Sequence, residues 1–152
     1  MTPDEIPAEP DKREGEPYLG FFLDAQMYGL PLHRLREVAR ITHLRRVAGA
    51  AAHVAGLVNL RGEIMCALDA RAILGLPPAK TPDAGYLIAL RDFEYPVGLV
   101  VDSIADIFPI DPAAIDAPPA GWSADRAACV IGMSRVRAGQ IGLLDIDRVV
   151  RR

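Results

Sequence analysis

At 152 residues, 51% of them hydrophobic, the chain is long enough to bury a core as one domain or two very small ones. No apolar run approaches the roughly 20 residues needed to span a bilayer, and the opening MTPDEIPAEPDKREGEP is acidic and proline-rich where a secretory signal would be basic and then apolar, so a cytoplasmic protein without membrane insertion is expected. The formal charge of −3 is unevenly placed: residues 1–17 carry six acids against Lys12 and Arg13, a net of −4, which leaves 18–152 at +1 and without the dense basic stripe of a nucleic-acid binder.

Residues 1–17 hold four prolines and, besides Met1, only Ile6 as a large aliphatic side chain, so a disordered acidic tail is expected there. Short apolar runs of strand length follow: YLGFFLD (18–24), MYGLPL (27–32), EIMCALD (63–69), YLIALRD (86–92), YPVGLVVD (95–102) and QIGLLDID (140–147). Short helical turns are expected at HRLREV (33–38), where Leu35 and Val38 share a helical face, at AAHVAGL (51–57), at ARAILGL (70–76) and in the terminal DIDRVVRR. HLRR (43–46) reads as a solvated strand face. LPPAKTPD (76–83) reads as a linker, and PIDPAAIDAPPAGWSADRA (109–127) is longer than most connections in a compact domain. Cys66 and Cys129 lie far apart among apolar neighbours, which suits reduced, buried thiols.

The chain repeats itself. Val54, Gly56 and Asp69 are matched by Val130, Gly132 and Asp145, with 13 residues from glycine to aspartate in both halves. The halves also begin alike, with Tyr-Leu, an apolar run and Asp at 18–24 and at 86–92. Two small β units joined at the linker follow, and units of this size close more readily into barrels than into sandwiches, because closure removes exposed edges.

Chemistry-bearing patterns are sparse. His33, His43 and His53 fall in three different expected elements with no ligand spacing, so no metal and no cofactor is expected. Ser134 lacks the second glycine of a nucleophile elbow, and neither Lys12 nor Lys80 follows a glycine-rich phosphate loop. Asp69 and Asp145 each end a strand, which points to capping of the following turn and away from a catalytic pair. No catalytic residue is assigned.

The stretches REVARI (36–41), VAGLVNLRGEIMCALDARAILGL (54–76), PVGLVVDSIADI (96–107) and VIGMSRVRAGQIGLLDIDRVV (130–150) resemble the CheW-like chemotaxis coupling family over residues 18–150. The resemblance implies a mainly β fold of two SH3-like five-stranded barrels packed side by side with short helices. On the simplest sequential division the first barrel spans about 18–76, a linker 77–85, the second barrel about 86–146, and a C-terminal helix 147–152 packs on the first barrel. It further implies a non-enzymatic adaptor, monomeric when isolated, coupling the cytoplasmic tips of methyl-accepting chemoreceptors to the regulatory domain of a CheA-type histidine kinase.

Carried over residue by residue, the resemblance places Leu35, Glu37, Gly56, Leu57, Asn59, Arg61, Leu87, Gly98, Ile107 and Gly132 at or behind a receptor-binding groove. Ile64, Met65 and Leu68 fall on a kinase-binding face, and Asp116 and Trp122 at a ring contact. Arg61 is expected to pair with Glu37 at the groove rim, the alternative being an exposed turn residue whose stem packs on Leu57. For the apolar positions plain core packing competes, and for the glycines a turn of positive φ. Ala51, His53 and Cys66 depart from the family pattern, which leaves open an adaptor for a chemosensory pathway other than flagellar chemotaxis. A small-molecule-binding or hydrolytic β protein using the inter-barrel groove is the rival reading. The acidic start and the ending after a terminal helix favour a stand-alone adaptor over a piece of a larger kinase.

Overall fold

The computed structural model describes residues 15–80 and 84–151. Most of the acidic tail, residues 1–14, and residues 81–83 of the expected linker lie outside them. Among the described residues, the order is β1 (Glu16–Leu23), β2 (Gln26–Pro31), β3 (Leu35–Arg40), β4 (Val54–Leu60), β5 (Glu63–Asp69), α1 (Ala70–Ile73), β6 (Tyr86–Leu90), β7 (Val97–Val101), β8 (Ser103–Ile110), α2 (Ala124–Ala128), β9 (Val130–Val136), β10 (Gly139–Leu144) and α3 (Ile146–Val150). They form two five-stranded sheets, in the orders β8-β1-β2-β10-β9 and β3-β6-β7-β5-β4.

That order corrects the sequential division. The repeat holds, since β1 to β5 correspond to β6 to β10, but each half lends its first hairpin to the other half's barrel. Hairpin β1–β2 pairs with β8 and, in parallel, with β10, while β6–β7 pairs with β3 and, in parallel, with β5. The exchange takes place at two short joints. Only Leu32–Arg34 separates β2 from β3, and only Asp102 separates β7 from β8, and at each the chain passes into the neighbouring sheet. The two barrels are therefore stitched through each other.

Each barrel is closed by a bridge at the repeat's glycine. Arg45 and Leu57 exchange backbone hydrogen bonds of 2.9 and 2.7 Å, and Asp116 and Met133 exchange two of 2.7 Å. A Cβ on Gly56 would stand 2.4 Å from the Arg45 carbonyl oxygen, and one on Gly132 would stand 2.5 Å from that of Asp116. The V-x-G repeat thus marks the points where each barrel closes on itself.

Two expected helical turns are largely strands, with His33 and Arg34 of the first in a short 3-10 turn, Leu32–Arg34. Leu35 and Val38 are both buried, which mimics helical spacing, because a β-bulge between Leu35 and Glu37 breaks the two-residue period. Strand β4 carries a bulge between Val54 and Gly56, after which Gly56, Val58 and Leu60 are buried alternately. Asp69 and Asp145 do cap α1 and α3: the Asp69 carboxylate accepts from the Arg71 and Ala72 N–H groups, and that of Asp145 from the Arg148 N–H. The C-terminal helix packs into a core shared by both barrels, where Ile146, Val149 and Val150 join Leu19, Phe21, Leu68, Ile88 and Leu99. Both cysteines are free thiols, and burial pushes that of Cys66 above its usual pKa.

Closure at the glycines predicts that Gly56→Ala and Gly132→Ala each destabilise the protein by about 2 kcal/mol or more, through forced displacement of the bridging strand. Gly121→Ala, with nothing within 4 Å of the added methyl, should leave the urea midpoint unchanged.

Candidate docking surfaces

The two-residue loop between β4 and β5 is Arg61-Gly62, with φ of 55° and 87°, and it joins the paired residues Leu60 and Glu63. That is the left-handed backbone of a type I′ hairpin turn, and the Asn59 Oδ1 stabilises it by accepting the Gly62 N–H at 2.9 Å. The polar gap in an apolar stretch is therefore a turn. From it the Arg61 Nε donates to the Glu37 Oε2 of β3 at 3.0 Å.

Both alternatives for Arg61 hold in part. It is an exposed turn residue, its side chain 72% accessible, and it pairs with a Glu37 that is only 18% accessible. Glu37 also faces the Arg36 Nε at 3.9 Å, and Arg36 in turn bonds Glu63, so a chain of four charges ties β3 to the hairpin. An ion pair with its arginine this open to water is worth only ~0 to 1 kcal/mol.

The other groove residues separate. Leu57 is partly buried and Asn59 exposed on β4, beside Arg61. Leu35 and Ile107 belong to the shared core, and Leu87 lies inside the barrel of β3 to β7. Gly98 is a packing position, where a Cβ would stand 2.8 Å from the Leu87 Cδ1. Gly132 and Ile107 lie in the barrel opposite Arg61. Only Glu37, Leu57, Asn59 and Arg61 form one accessible cluster.

On the expected kinase face, Ile64 is 56% exposed. Met65 and Leu68 are 0% and 3% exposed, so they are core residues, and their assignment to that face is corrected. Strand alternation explains Met65, which points into the barrel. Leu68 shares the face of Ile64, but there the opposite barrel covers it. Tyr95, 49% exposed, was missed: it stands two residues before Val97, the register partner of Cys66, in the loop that leads into β7. The aromatic before the β7 proline was its sequence signal. Trp122 is also corrected: it is partly buried, tilted on Tyr28 with ring centroids 6.0 Å apart, with the Arg126 guanidinium 3.9 Å from its ring centroid. Asp116 is exposed, while its backbone makes the closing bridge.

The joints themselves carry charged clamps that sequence reading did not assign. Arg71 of α1 is 8% exposed and donates five hydrogen bonds, two to Asp24, two to Asp102 and one of 3.0 Å to the Pro77 carbonyl. Hydrogen bonding to Asp102 raises its pKa further above the usual arginine value. At the other joint Arg34, 9% exposed, bonds both carboxylate oxygens of Asp147 at 3.1 Å. Burial pushes the Asp102 carboxyl up, but hydrogen bonds from Arg71 and from the Asp24 N–H outweigh it and hold the group below the ordinary aspartate value. The Asp147 carboxyl is likewise held low, chiefly by its hydrogen bond from Arg34. The D-x-R that follows β5 was the signal for Arg71. No group of three or more His, Cys, Asp or Glu stands at metal-binding distance among the described residues, and no helix among them is long and apolar enough to cross a membrane.

The fold defines a double-barrel β protein with exchanged hairpins, bearing a charged pair and the exposed apolar side chains Ile64 and Tyr95 on the same barrel. Residues 17–152 match the CheW-like domain, and the chain belongs to that family. It is 24% identical over 140 residues to a chemotaxis protein CheW of Bacillus subtilis, covering 91% of this chain and 88% of that protein. It is 26% identical over 135 residues to a chemotaxis protein CheW of Rhizobium meliloti, covering 89% and 87%. In fold it resembles the crystal structure of the scaffolding protein TtCheW from Thermoanaerobacter tengcongensis, with a TM-score of 0.74 at 23% identity over 87% of this chain and 85% of that one.

Because both aspartates titrate below their unfolded value, the stability they contribute is present above the ordinary carboxylate range and is lost as pH falls through their folded values. Urea midpoints should fall as pH is lowered toward 3. Arg71→Met should lower stability at pH 7 by roughly 2 to 3 kcal/mol, short of the full loss of a completely buried pair, and should flatten the acid dependence.

Proposed function

We propose that the chain is a non-enzymatic adaptor of a chemosensory array, coupling chemoreceptor tips to the regulatory domain of a CheA-type histidine kinase, and that it acts in the cytoplasm as a monomer when isolated. The observation that carries this reading is that one barrel presents both the exposed apolar side chains, Ile64 and Tyr95, and the Glu37–Arg61 pair, in a chain whose family match spans residues 17–152. The first suits an apolar anchor that needs a partner's cover. The second presents a guanidinium and an amide to a polar partner surface.

Each cluster is assigned one partner. Ile64 and Tyr95 take the kinase domain; Glu37, Leu57, Asn59 and Arg61 take the receptor. Since Met65 and Leu68 are buried, Ile64 is the member of its strand that can be changed without opening the core. Ile64→Glu should therefore keep the native urea midpoint and reduce kinase-domain affinity at least tenfold by calorimetry. Unchanged affinity would remove this face from the assignment.

For the receptor side, Arg61→Ala and Glu37→Ala should each lower receptor-dependent kinase activation in reconstituted arrays, and the double variant should be little worse than either single one. Stability should change by less than about 1 kcal/mol for Arg61→Ala, because the pair is open to water. Additive losses in the cycle would show that the two side chains act separately.

A further inference from the structure

Each barrel closes at its glycine bridge, and beyond that bridge the seam has no backbone support. In the barrel of β3 to β7, β3 and β4 are the outer strands of the sheet order, and among the described residues the backbone bonds across their seam are the two between Arg45 and Leu57. The Arg61-Gly62 turn stands four residues beyond Leu57, roughly 13 Å along the strand. Side chains span the seam there: the Arg61 Nε donates to the Glu37 Oε2 at 3.0 Å, and the Arg36 Nη1 donates to the Glu63 Oε1. Arg36 and Glu37 are neighbours on β3, and Glu63 and Ile64 are neighbours on β5.

The other barrel supplies the comparison. Its seam lies between β8 and β9, and Arg137, five residues after Gly132 as Arg61 is five after Gly56, donates to Asp106 of β8. That barrel has no counterpart of the second pair: Gly139 stands six residues before the capping Asp145, where Glu63 stands six before Asp69. The residue that follows Gly139 is Gln140, in the place of the exposed Ile64. One arginine–carboxylate pair thus serves a barrel tip in this fold, and the additional Arg36–Glu63 pair belongs to the barrel whose hairpin presents an apolar side chain.

We propose that Arg36 and Glu63 are positioning residues for Ile64, holding the β5 side of the hairpin tip to β3 so that Ile64 meets the kinase domain from one fixed place. This role rests on the assignment of Ile64 to that partner. The pair's side chains are 38% and 44% accessible, which leaves it little weight in folding. Its effect falls on docking, because a tip already fixed has less freedom to lose when Ile64 is covered. The Arg36 Nε also faces the Glu37 Oε1 at 3.9 Å, so the same tip serves the Arg61 cluster and the Ile64 position.

The test uses the isotope-labelled full chain and the regulatory domain of a CheA-type kinase that binds it. Arg36→Gln and Glu63→Gln should each keep the native urea midpoint and weaken kinase-domain affinity about three- to fivefold at ~20 mM salt, near the most that an exposed pair supplies. The double variant should be no weaker than either single one, Arg36→Lys should bind within about twofold of the native chain, and the losses should vanish at ~0.5 M salt. In the unbound chain Arg36→Gln should lower the backbone order parameters of Gly62 and Ile64, which lie far from it in sequence. If Ile64→Glu weakens binding while the Arg36 and Glu63 variants bind like the native chain, or if their losses add, the positioning role is overturned and the adaptor reading stands. If Ile64→Glu leaves affinity unchanged, the kinase assignment falls and the positioning role falls with it. Order parameters at Gly62 and Ile64 that Arg36→Gln does not change would overturn the role in either case.

Discussion

The hairpin exchange at the two joints is the constraint on which the rest of the molecule depends. At Leu32–Arg34 and at Asp102 the chain passes directly from one sheet into the other, and each barrel contains a hairpin of the opposite half, so neither barrel is complete without the other. The shared core follows from this, since strands of both sheets bury their facing sides against each other around Leu19, Phe21, Leu68, Ile88 and Leu99. A segment such as YLGFFLD can therefore be buried on both sides, facing its own barrel interior and the shared core alternately.

The clamps at the joints obey the repeat but invert its charge. Arg71 stands two residues after the capping Asp69, and Asp147 two residues after the capping Asp145. One is a cation that meets Asp102 at the second joint, and the other an anion that meets Arg34 at the first. The geometry is kept while the sign is swapped. Either order satisfies the same requirement, that a nearly buried guanidinium at a crossover finds a carboxylate in bidentate reach. These pairs also hold each terminal helix turn against the joint, so the C-terminal helix α3 is tied to the start of β3 across the whole sequence.

Much of this was legible and some could not be. The repeat, the capping aspartates and the β content followed from local patterns at Gly56, Gly132, Asp69 and Asp145. The exchange did not, because swapped and unswapped barrels place the same residues in the same strands with the same sides buried, and only the choice of neighbour differs. Strand β3 hid behind a bulge that gives its buried side chains Leu35 and Val38 a three-residue spacing. Met65 and Leu68 were assigned to a surface because an apolar strand does not state which of its faces another barrel will cover. Trp122 looked solitary in sequence, but its partner Tyr28 comes from the opposite end of the chain.

Arg61 shows why the energetic and the functional readings of one residue come apart. Its place in a type I′ turn requires a positive φ, which glycine, asparagine or aspartate would adopt more readily than arginine. Its ion pair returns little stability at 72% exposure. Fold stability alone therefore gives no reason for a guanidinium at this position. What the position does provide is orientation: Glu37 holds the Nε on one side, and no described hydrogen bond engages either terminal nitrogen. Those nitrogens can donate to a partner's carboxylate or carbonyl with little further side-chain ordering to pay for, and the Asn59 bond keeps the turn beneath them fixed. A pair that contributes almost nothing to the isolated domain can thus contribute to a complex, and that asymmetry is what separates a docking residue from a structural one.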